Sequence, residues 1–411
     1  MVRNMGRIAL MKTLLAATVL LAGLPLAARE NGGLSNSDGP SGGDGFTHRV
    51  GLEMRGAWIA PSHGFFRGEN GAGKKLDKSG SLHLKYSFRF PESSRYGAMY
   101  PTAYQGIGLA WNTFFDKAEL GVPAALYVFQ GARIASLGER LSLDGEWNFG
   151  ASFGWKPYDE QYNSFNRVVG SRVNAYIDAA LLLSWRPLPG LTLNAGVDIT
   201  HFSNGNTTLP NSGVNTIGAR VGAVYDVART PVKSARTKVA LEPWRRFMVE
   251  TVFYGALRAK GLEYEGSGYL LDGRFAVAGI NIAPMYRFTR RFQAGVSLDV
   301  QYDESANLSG HLAGMVPEGS GMSPRFYRPP LSEQVAAGLS LRAELVMPIF
   351  TIGVGLGRNV LYKGELGVFY QMATLKTDVG RNAFLQIGYR LDNFHDPSNL
   401  MIGLGWRFGG R

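Results

Sequence analysis

The sequence predicts an all-β protein, a transmembrane antiparallel β-barrel of about sixteen strands. Three observations lead there: an export-type N-terminus, strand-length segments alternating apolar with polar residues, and no later apolar run long enough to make a membrane helix. The chain has 411 residues and no cysteine, so an exported fold must be held together without disulfides. A closed, hydrogen-bonded barrel supplies that.

Residues 1–28 read as a signal peptide. Arg3, Arg7 and Lys12 form a basic start, Thr13 to Leu24 an apolar core, and Ala27-Ala28 a small-residue cleavage region. The core falls well short of the ~20 residues a helix needs to cross a bilayer. Residues 29–47, rich in Gly, Ser, Asn and Asp, read as a flexible linker. The formal net charge is +11, three of which lie in residues 1–28, leaving +8. A basic balance suits nucleic acid or an anionic membrane surface equally. Export and the strand pattern select the membrane, so no nucleic-acid partner is expected.

From His48 onward one unit recurs, an amphipathic strand bounded by Gly, Pro, Asn, Asp and Ser. In Val173–Trp185 the odd positions are apolar, while Asn174, Asp178 and Ser184 occupy the other face. Phe292–Tyr302 sets Phe292, Val296 and Leu298 against Gln293, Ser297 and Asp299. Asn399–Phe408 sets Leu400, Ile402, Leu404, Trp406 and Phe408 against Asn399 and Arg407. A soluble sandwich usually carries Lys and Glu on its polar face. Here that face holds Gly, Asn, Ser, Asp, Gln and Arg, and the apolar face ends in aromatics, as in a barrel with lipid outside and a polar lumen.

Segments begin near residues 48, 81, 104, 123, 141, 173, 191, 213, 246, 272, 291, 333, 349, 364, 382 and 398. Two arrangements stay open. One is a single wide barrel with halves at 48–228 and 245–411; the other is an eight-stranded barrel over 48–228 followed by a second barrel region. Outer-membrane barrels place short turns in the periplasm and long loops outside. Connections after even strands, such as Pro187–Gly190, Thr289-Arg290 and Met347-Pro348, are tight. Those after odd strands, such as 61–80, 156–171 and 303–332, are long; 91–102 and 228–244 are looser exceptions.

Of six histidines, His48, His63, His83, His311 and His395 lack a serine two residues on and read as loop, lumen or interface residues. His201 opens His201-Phe202-Ser203-Asn204-Gly205, and Pro210-Asn211-Ser212-Gly213 leads towards Asn215. In the seventh strand Leu193, Ala195, Val197 and Ile199 form the apolar face, and His201 and Ser203 continue it. In the eighth, Asn215 shares the parity of Ile217, Ala219 and Val221. A hairpin over 205–212 sets 201 opposite 215, about 5 Å apart, at the extracellular end. Three polar side chains thus fall where lipid-facing residues belong, and that costs free energy unless they satisfy one another. As a triad, Ser203 attacks an ester carbonyl, His201 takes its proton and Asn215 fixes the imidazole. Backbone N–H groups at Asn204 and Gly205 are the expected oxyanion donors.

His-x-Ser-Asn at a strand end, followed by Pro-Asn-x-Gly, resembles the outer-membrane lipid A 3-O-deacylases and their acyloxyacyl-hydrolase relatives. The resemblance implies an eight-stranded barrel with a Ser-His-Glu triad on its outer wall. Its His and Ser fall on His201 and Ser203, its oxyanion region on Asn204-Gly205, and its Glu position on Asn215, which is a departure. The same stretch resembles outer-membrane phospholipase A, whose triad ends in asparagine. That family's calcium shell includes an arginine three positions after the serine, where this chain has Asn206, so neither calcium nor any other cofactor is implied. The deacylase likeness spans 48–228 and is motif-level over 191–226; residues 245–411 match neither family.

Both resemblances imply an outer-membrane esterase acting on outer-leaflet lipid, either lipid A of lipopolysaccharide or phospholipid. A non-catalytic pore or structural barrel is the third reading. Basic residues Lys74, Lys75, Lys78, Arg325 and Arg328 fall in loop segments, where they either meet lipid phosphates or are simply solvated.

Overall fold

The computed structural model describes residues 45–229, 244–264, 267–314, 325–394 and 396–409. The expected signal peptide over 1–28, all but the last three residues of the expected linker, and His395 lie outside the described residues. Sixteen barrel strands form, each starting within five residues of its expected position. The first eight are β1 (Thr47–Ile59), β2 (Lys78–Arg89), β3 (Tyr104–Thr113), β4 (Gly121–Ser136), β5 (Leu141–Trp155), β6 (Val173–Leu188), β7 (Leu191–Ser203) and β8 (Val214–Arg229). Each pairs with the next, and β8 returns to β1, with Trp58 opposite Ile217 and Ile59 opposite Thr216.

After β9 (Phe247–Arg258) comes a small hairpin, β10 (Gly261–Tyr264) and β11 (Ser267–Leu270). Then follow β12 (Phe275–Arg287), β13 (Phe292–Asp303) and a second small pair, β14 (Leu312–Gly314) and β15 (Arg325–Phe326). The last five are β16 (Val335–Val346), β17 (Phe350–Leu361), β18 (Phe369–Asp378), β19 (Ala383–Asp392) and β20 (Asp396–Phe408). Setting the two small pairs aside, these strands close a second ring of eight through β20 and β9. The sixteen strands therefore form two eight-stranded barrels, the second arrangement the sequence left open, and not one wide barrel. Once β8 is zipped to β1, no edge remains to accept a ninth strand. By compactness the chain divides into residues up to Asn204 with Pro210–Leu241, and Gly205–Leu209 with Glu242–Arg411.

Alternation sorts side chains to two faces. In β7, Val197 and Ile199 are 58% and 60% exposed, while Asp198 and Thr200 between and beyond them are 3% and 4% exposed. Leu181 and Trp185 on β6, Val296 and Leu298 on β13, and Leu404 and Trp406 on β20 are likewise exposed. Asp178, Ser184, Ser297, Asp299 and Arg407 are buried in the alternate phase. An apolar exterior over a polar interior is the pattern of a barrel in lipid.

An eight-stranded lumen is narrow enough for side chains to fill it. In the first barrel Arg220 lies 2.7 Å from Asp178, 2.9 Å from Asp198 and 3.5 Å from Glu53. Arg55 reaches Asp198 at 2.5 Å, and Lys85 bridges Glu53 and Glu146 at 3.0 and 2.5 Å. Towards the long loops, an aromatic cluster of Phe114, Trp155, Tyr176 and Phe202 takes over. Phe65 and Phe66 join it from a helical turn, Gly64–Arg67, whose first N–H groups are capped by His63 Nδ1 accepting from Phe65 at 3.0 Å. The second barrel has its own network, with Lys376 between Glu250 and Glu344 at 2.5 Å each and Arg342 2.7 Å from Asp299.

Connections 137–140, 189–190, 288–291, 347–349 and 379–382 are short, and 90–103 carries a helical turn, Arg95–Met99. Connections 60–77, 156–172, 204–213 and 304–334 are long and lie at the opposite strand ends. The β7–β8 hairpin belongs to the long-loop end, which is the extracellular end of an outer-membrane barrel.

Removing the Arg220 charge leaves Asp178 and Asp198 buried with one cation between them. Arg220→Met is expected to destabilise the first barrel by roughly 3–5 kcal/mol. Urea unfolding in lipid vesicles, followed by tryptophan fluorescence, should show a lower midpoint; an unchanged midpoint would remove the network from the account of stability.

Candidate active site

β7 and β8 meet in a register that sets His201 opposite Asn215 and Phe202 opposite Val214. Phe202 and Val214 are buried, and the Phe202 ring lies 5.2, 5.4 and 5.8 Å from the centroids of Trp155, Tyr176 and Phe114. With those residues committed to the interior, alternation turns 201, 203 and 215 to the outer wall. All three are half-buried there, beside exposed Ile177, Ile199 and Ile217. Across β6, Ile177 faces His201 and Ala175 faces Ser203.

His201 Nδ1 is 2.6 Å from Asn215 Oδ1, and its Nε2 is 2.8 Å from Ser203 Oγ. An amide oxygen only accepts, so Nδ1 carries the proton and the Nε2 lone pair is left for the serine O–H. Ala60 N–H donates to the Asn215 carbonyl at 2.9 Å, tying the amide's strand to the end of β1. The structure thus brings together all three residues expected from the sequence. The arrangement is a serine hydroxyl with a positioned base and an orienting acceptor, able to attack an electrophilic carbonyl.

The hairpin between the strands is built from left-handed residues: Gly205, Asn206 and Gly213 have φ of 63°, 62° and 71°. Asn204 N–H donates to Asn211 Oδ1 at 3.0 Å. That bond engages one of the two N–H groups expected to face an oxyanion; the other is the Gly205 N–H. Gly213 N–H donates to Val168 O at 3.0 Å, keying the hairpin to the 156–172 connection. A β-carbon on Gly213 would stand 2.9 Å from Phe202 O and 3.3 Å from His201 Cε1. Glycine is therefore required twice, for its φ and for the space beside the imidazole.

Sequence reasoning passed over a second serine–histidine contact. Ser81 Oγ lies 2.8 Å from His83 Nε2, and His83 Nδ1 lies 3.0 Å from Tyr127 Oη. The order is Ser-x-His rather than His-x-Ser. The signal that separates the two is parity: His83 shares a face with buried Lys85 and Ser87, so it looks into the lumen. The remaining described histidines have local roles. His48 Nδ1 is 2.7 Å from Tyr86 Oη, His63 caps a helical turn, and His311 Nδ1 donates to Asn307 O at 3.0 Å.

Of the basic residues, Lys74 and Lys75 are exposed in the 60–77 connection, with Lys75 3.1 Å from Asp77; Lys78 is exposed at the start of β2. Arg325 and Arg328 are exposed in the 304–334 connection, where Arg328 donates to Tyr302 Oη at 2.9 Å. Among the described residues no group of three or more His, Asp or Glu side chains is arranged to hold a metal ion.

A family model described as lipid A 3-O-deacylase (PagL) matches residues 80–223. A second, described as the acyloxyacyl hydrolase C-terminal domain, matches residues 247–410. The second match corrects the expectation that the C-terminal half belongs to neither family. No curated protein sequence matches the chain significantly. Among solved structures, Neisserial surface protein A is 8% identical with a TM-score of 0.31, over 44% of this chain and 99% of its own. The siderophore receptor PirA from Acinetobacter baumannii is 10% identical with a TM-score of 0.26, over 84% and 68%. The NanC porin is 10% identical with a TM-score of 0.15, over 87% and 98%. Similarity at this level bears on neither the site nor its chemistry.

Gly213→Ala is expected to displace the imidazole while the barrel still forms. Labelling of Ser203 by a fluorophosphonate probe should slow on the order of tenfold or more. Labelling at the unaltered rate would show that the close approach at 213 does not hold the histidine.

Proposed function

This chain belongs to the lipid A 3-O-deacylase family, and from that premise we propose that it is a serine esterase hydrolysing an acyl ester of lipid A in the bacterial outer membrane. The observation that carries this reading is the His201–Ser203–Asn215 contact on the wall that faces lipid, at the long-loop end. A substrate whose ester sits just below the headgroup layer reaches that position without leaving the membrane.

In the first step Ser203 Oγ bonds to the ester carbon while its proton passes to His201 Nε2, and the carbonyl pair moves onto oxygen. Backbone N–H donation, for which Gly205 is the candidate, stabilises that oxygen. Collapse breaks the ester C–O bond, and the departing lipid hydroxyl takes the proton back from Nε2. Water then repeats the sequence on the acyl-serine and releases a fatty acid. Asn215 holds the Nδ1–H throughout but carries no charge to offset the imidazolium. No step calls on a metal.

A phospholipase-type acyl hydrolase is the second reading, favoured by one residue, the asparagine in the third triad position. The family model over residues 80–223, whose description names lipid A, favours lipid A.

Ser203→Ala should abolish fatty-acid release while the folded barrel is retained. Mass spectrometry of lipid A and of phospholipids from cells with and without the gene identifies the substrate; unchanged profiles of both would defeat the esterase reading. Asn215→Glu should raise turnover by about tenfold or more, by restoring the charge that offsets the imidazolium. A loss of turnover in that variant would mean that the amide, not a carboxylate, suits this site.

A further inference from the structure

The 156–172 connection is ordered around a tip that it leaves bare. Asp159 Oδ1 accepts the N–H groups of Gln161 and Tyr162 at 3.0 and 3.1 Å. Asn163 Nδ2 donates to Glu119 O and Pro157 O at 3.0 Å each, and Asn166 Nδ2 to Glu119 O and Lys156 O at 2.9 and 2.8 Å. Yet the Tyr162 side chain at the tip is 88% exposed. Fixing a loop costs conformational entropy, and an aromatic ring held in water returns none of it through burial.

Behind Tyr162 lies a recess of about 460 Å³, lined by Trp155, Lys156, Tyr162, Asn163 and Arg172 among others. Its volume is that of a small-ligand site. Lys156 and Arg172 are both exposed, and among the described residues neither has a carboxylate partner; Lys156 Nζ donates to Ala118 O at 3.1 Å. The recess presents two cations with no carboxylate partner among the described residues, and the exposed Tyr162 ring beside the buried Trp155.

Its position relates it to the triad. Arg172 stands three residues before Ala175, and Ala175 faces Ser203 across β6 and β7. β6 begins at Val173, two residues before Ala175, so strand rise and strand spacing put the Val173 backbone about 8 Å from that of Ser203, with Arg172 one residue beyond it. One sugar ring with its phosphate spans such a gap. The same connection is tied to the hairpin through Val168 O and Gly213 N–H, so recess and triad share one support.

The geometry points to this recess as the seat of the phosphorylated sugar headgroup of the lipid whose ester reaches Ser203. Lys156 and Arg172 hold the phosphate, and Tyr162 lies against the apolar face of the sugar ring. This deepens the esterase reading and rests on it. A glycerophospholipid supplies the phosphate without the ring, so it meets only half of the site.

The test uses full-length Ser203→Ala protein in detergent micelles, so that binding is measured without turnover. The probes are phosphorylated lipid A, chemically dephosphorylated lipid A and phosphatidylglycerol. Variants are compared after each has shown the heat-modifiable gel migration of a folded barrel. Phosphorylated lipid A should bind roughly tenfold more tightly than the dephosphorylated form, and Lys156→Ala with Arg172→Ala should erase the difference. Tyr162→Ala should weaken both forms of lipid A and leave phosphatidylglycerol unmoved. Equal binding of the two lipid A forms, or a preference that survives loss of both cations, overturns the assignment; an equal Tyr162→Ala effect on phosphatidylglycerol overturns its sugar half. The two readings fail separately. If protein with Ser203 intact cleaves no lipid while the phosphate preference holds, the esterase reading falls and the headgroup seat stands.

Discussion

In an eight-stranded barrel every strand residue faces either a lumen packed with side chains or the hydrocarbon outside, and neighbours in sequence take opposite sides. The site depends on this constraint. Phe202 and Val214 are drawn inward by the ring cluster around Trp155 and Tyr176, and His201, Ser203 and Asn215 have only the outer wall left to them. Hydrocarbon offers these polar groups no partner, so they must satisfy one another. The chain of contacts Asn215–His201–Ser203 does that, and in the proposed esterase the same chain would poise the serine for attack. Burial cost and reactivity are answered by one arrangement.

Rigidity reaches the triad from below rather than from the loops. Residues 201, 203 and 215 sit on strands, and the strands are cross-braced through the lumen by Arg220, Asp178, Asp198 and Glu53. Sites on regular elements hold their geometry better than sites on loops. The hairpin adds close fit at one point, where a β-carbon on Gly213 would fall 2.9 Å from the Phe202 carbonyl oxygen and 3.3 Å from the imidazole. The 156–172 connection then packs Val168 and Val169 into the same cluster that anchors Phe202. The wall, the lumen and the outer loop are parts of one packed body.

Much of this was legible in the sequence because alternation is a local property. Strand positions, the inward phase of Asp178, Asp198 and Asp299, and the pairing of 201 with 215 follow from a period of two and a hairpin of known length. Closure was not legible. Whether β8 meets β1 or continues into a wider sheet depends on a pairing between Trp58 and Ile217, far apart in the chain, that no local pattern encodes. The engagement of the Asn204 N–H by Asn211 was likewise hidden, because it depends on loop conformation rather than on phase. The recess behind Tyr162 is absent from the sequence pattern for a related reason. Its cations come from residues sixteen apart and converge only once the asparagines at 163 and 166 fold the connection back on itself. The lumenal Ser81–His83 contact is the converse, since its inward parity is a local property that the sequence carries.

The asparagine at 215 bears on what kind of esterase such a wall can carry. A carboxylate there would face hydrocarbon as a bare charge whenever the imidazole is neutral, and charge in that setting is unfavourable. An amide avoids that cost in the resting state, and it still accepts the Nδ1–H at 2.6 Å and so keeps the tautomer. In the proposed esterase, what it would give up is attraction for the imidazolium at the moment the serine proton moves. The balance between these two terms depends on how wet the site is. His201, Ser203 and Asn215 are half-buried rather than sealed. Both terms grow as the local dielectric falls, so the cost of a resting carboxylate and the loss that comes with an amide rise together with depth in the membrane.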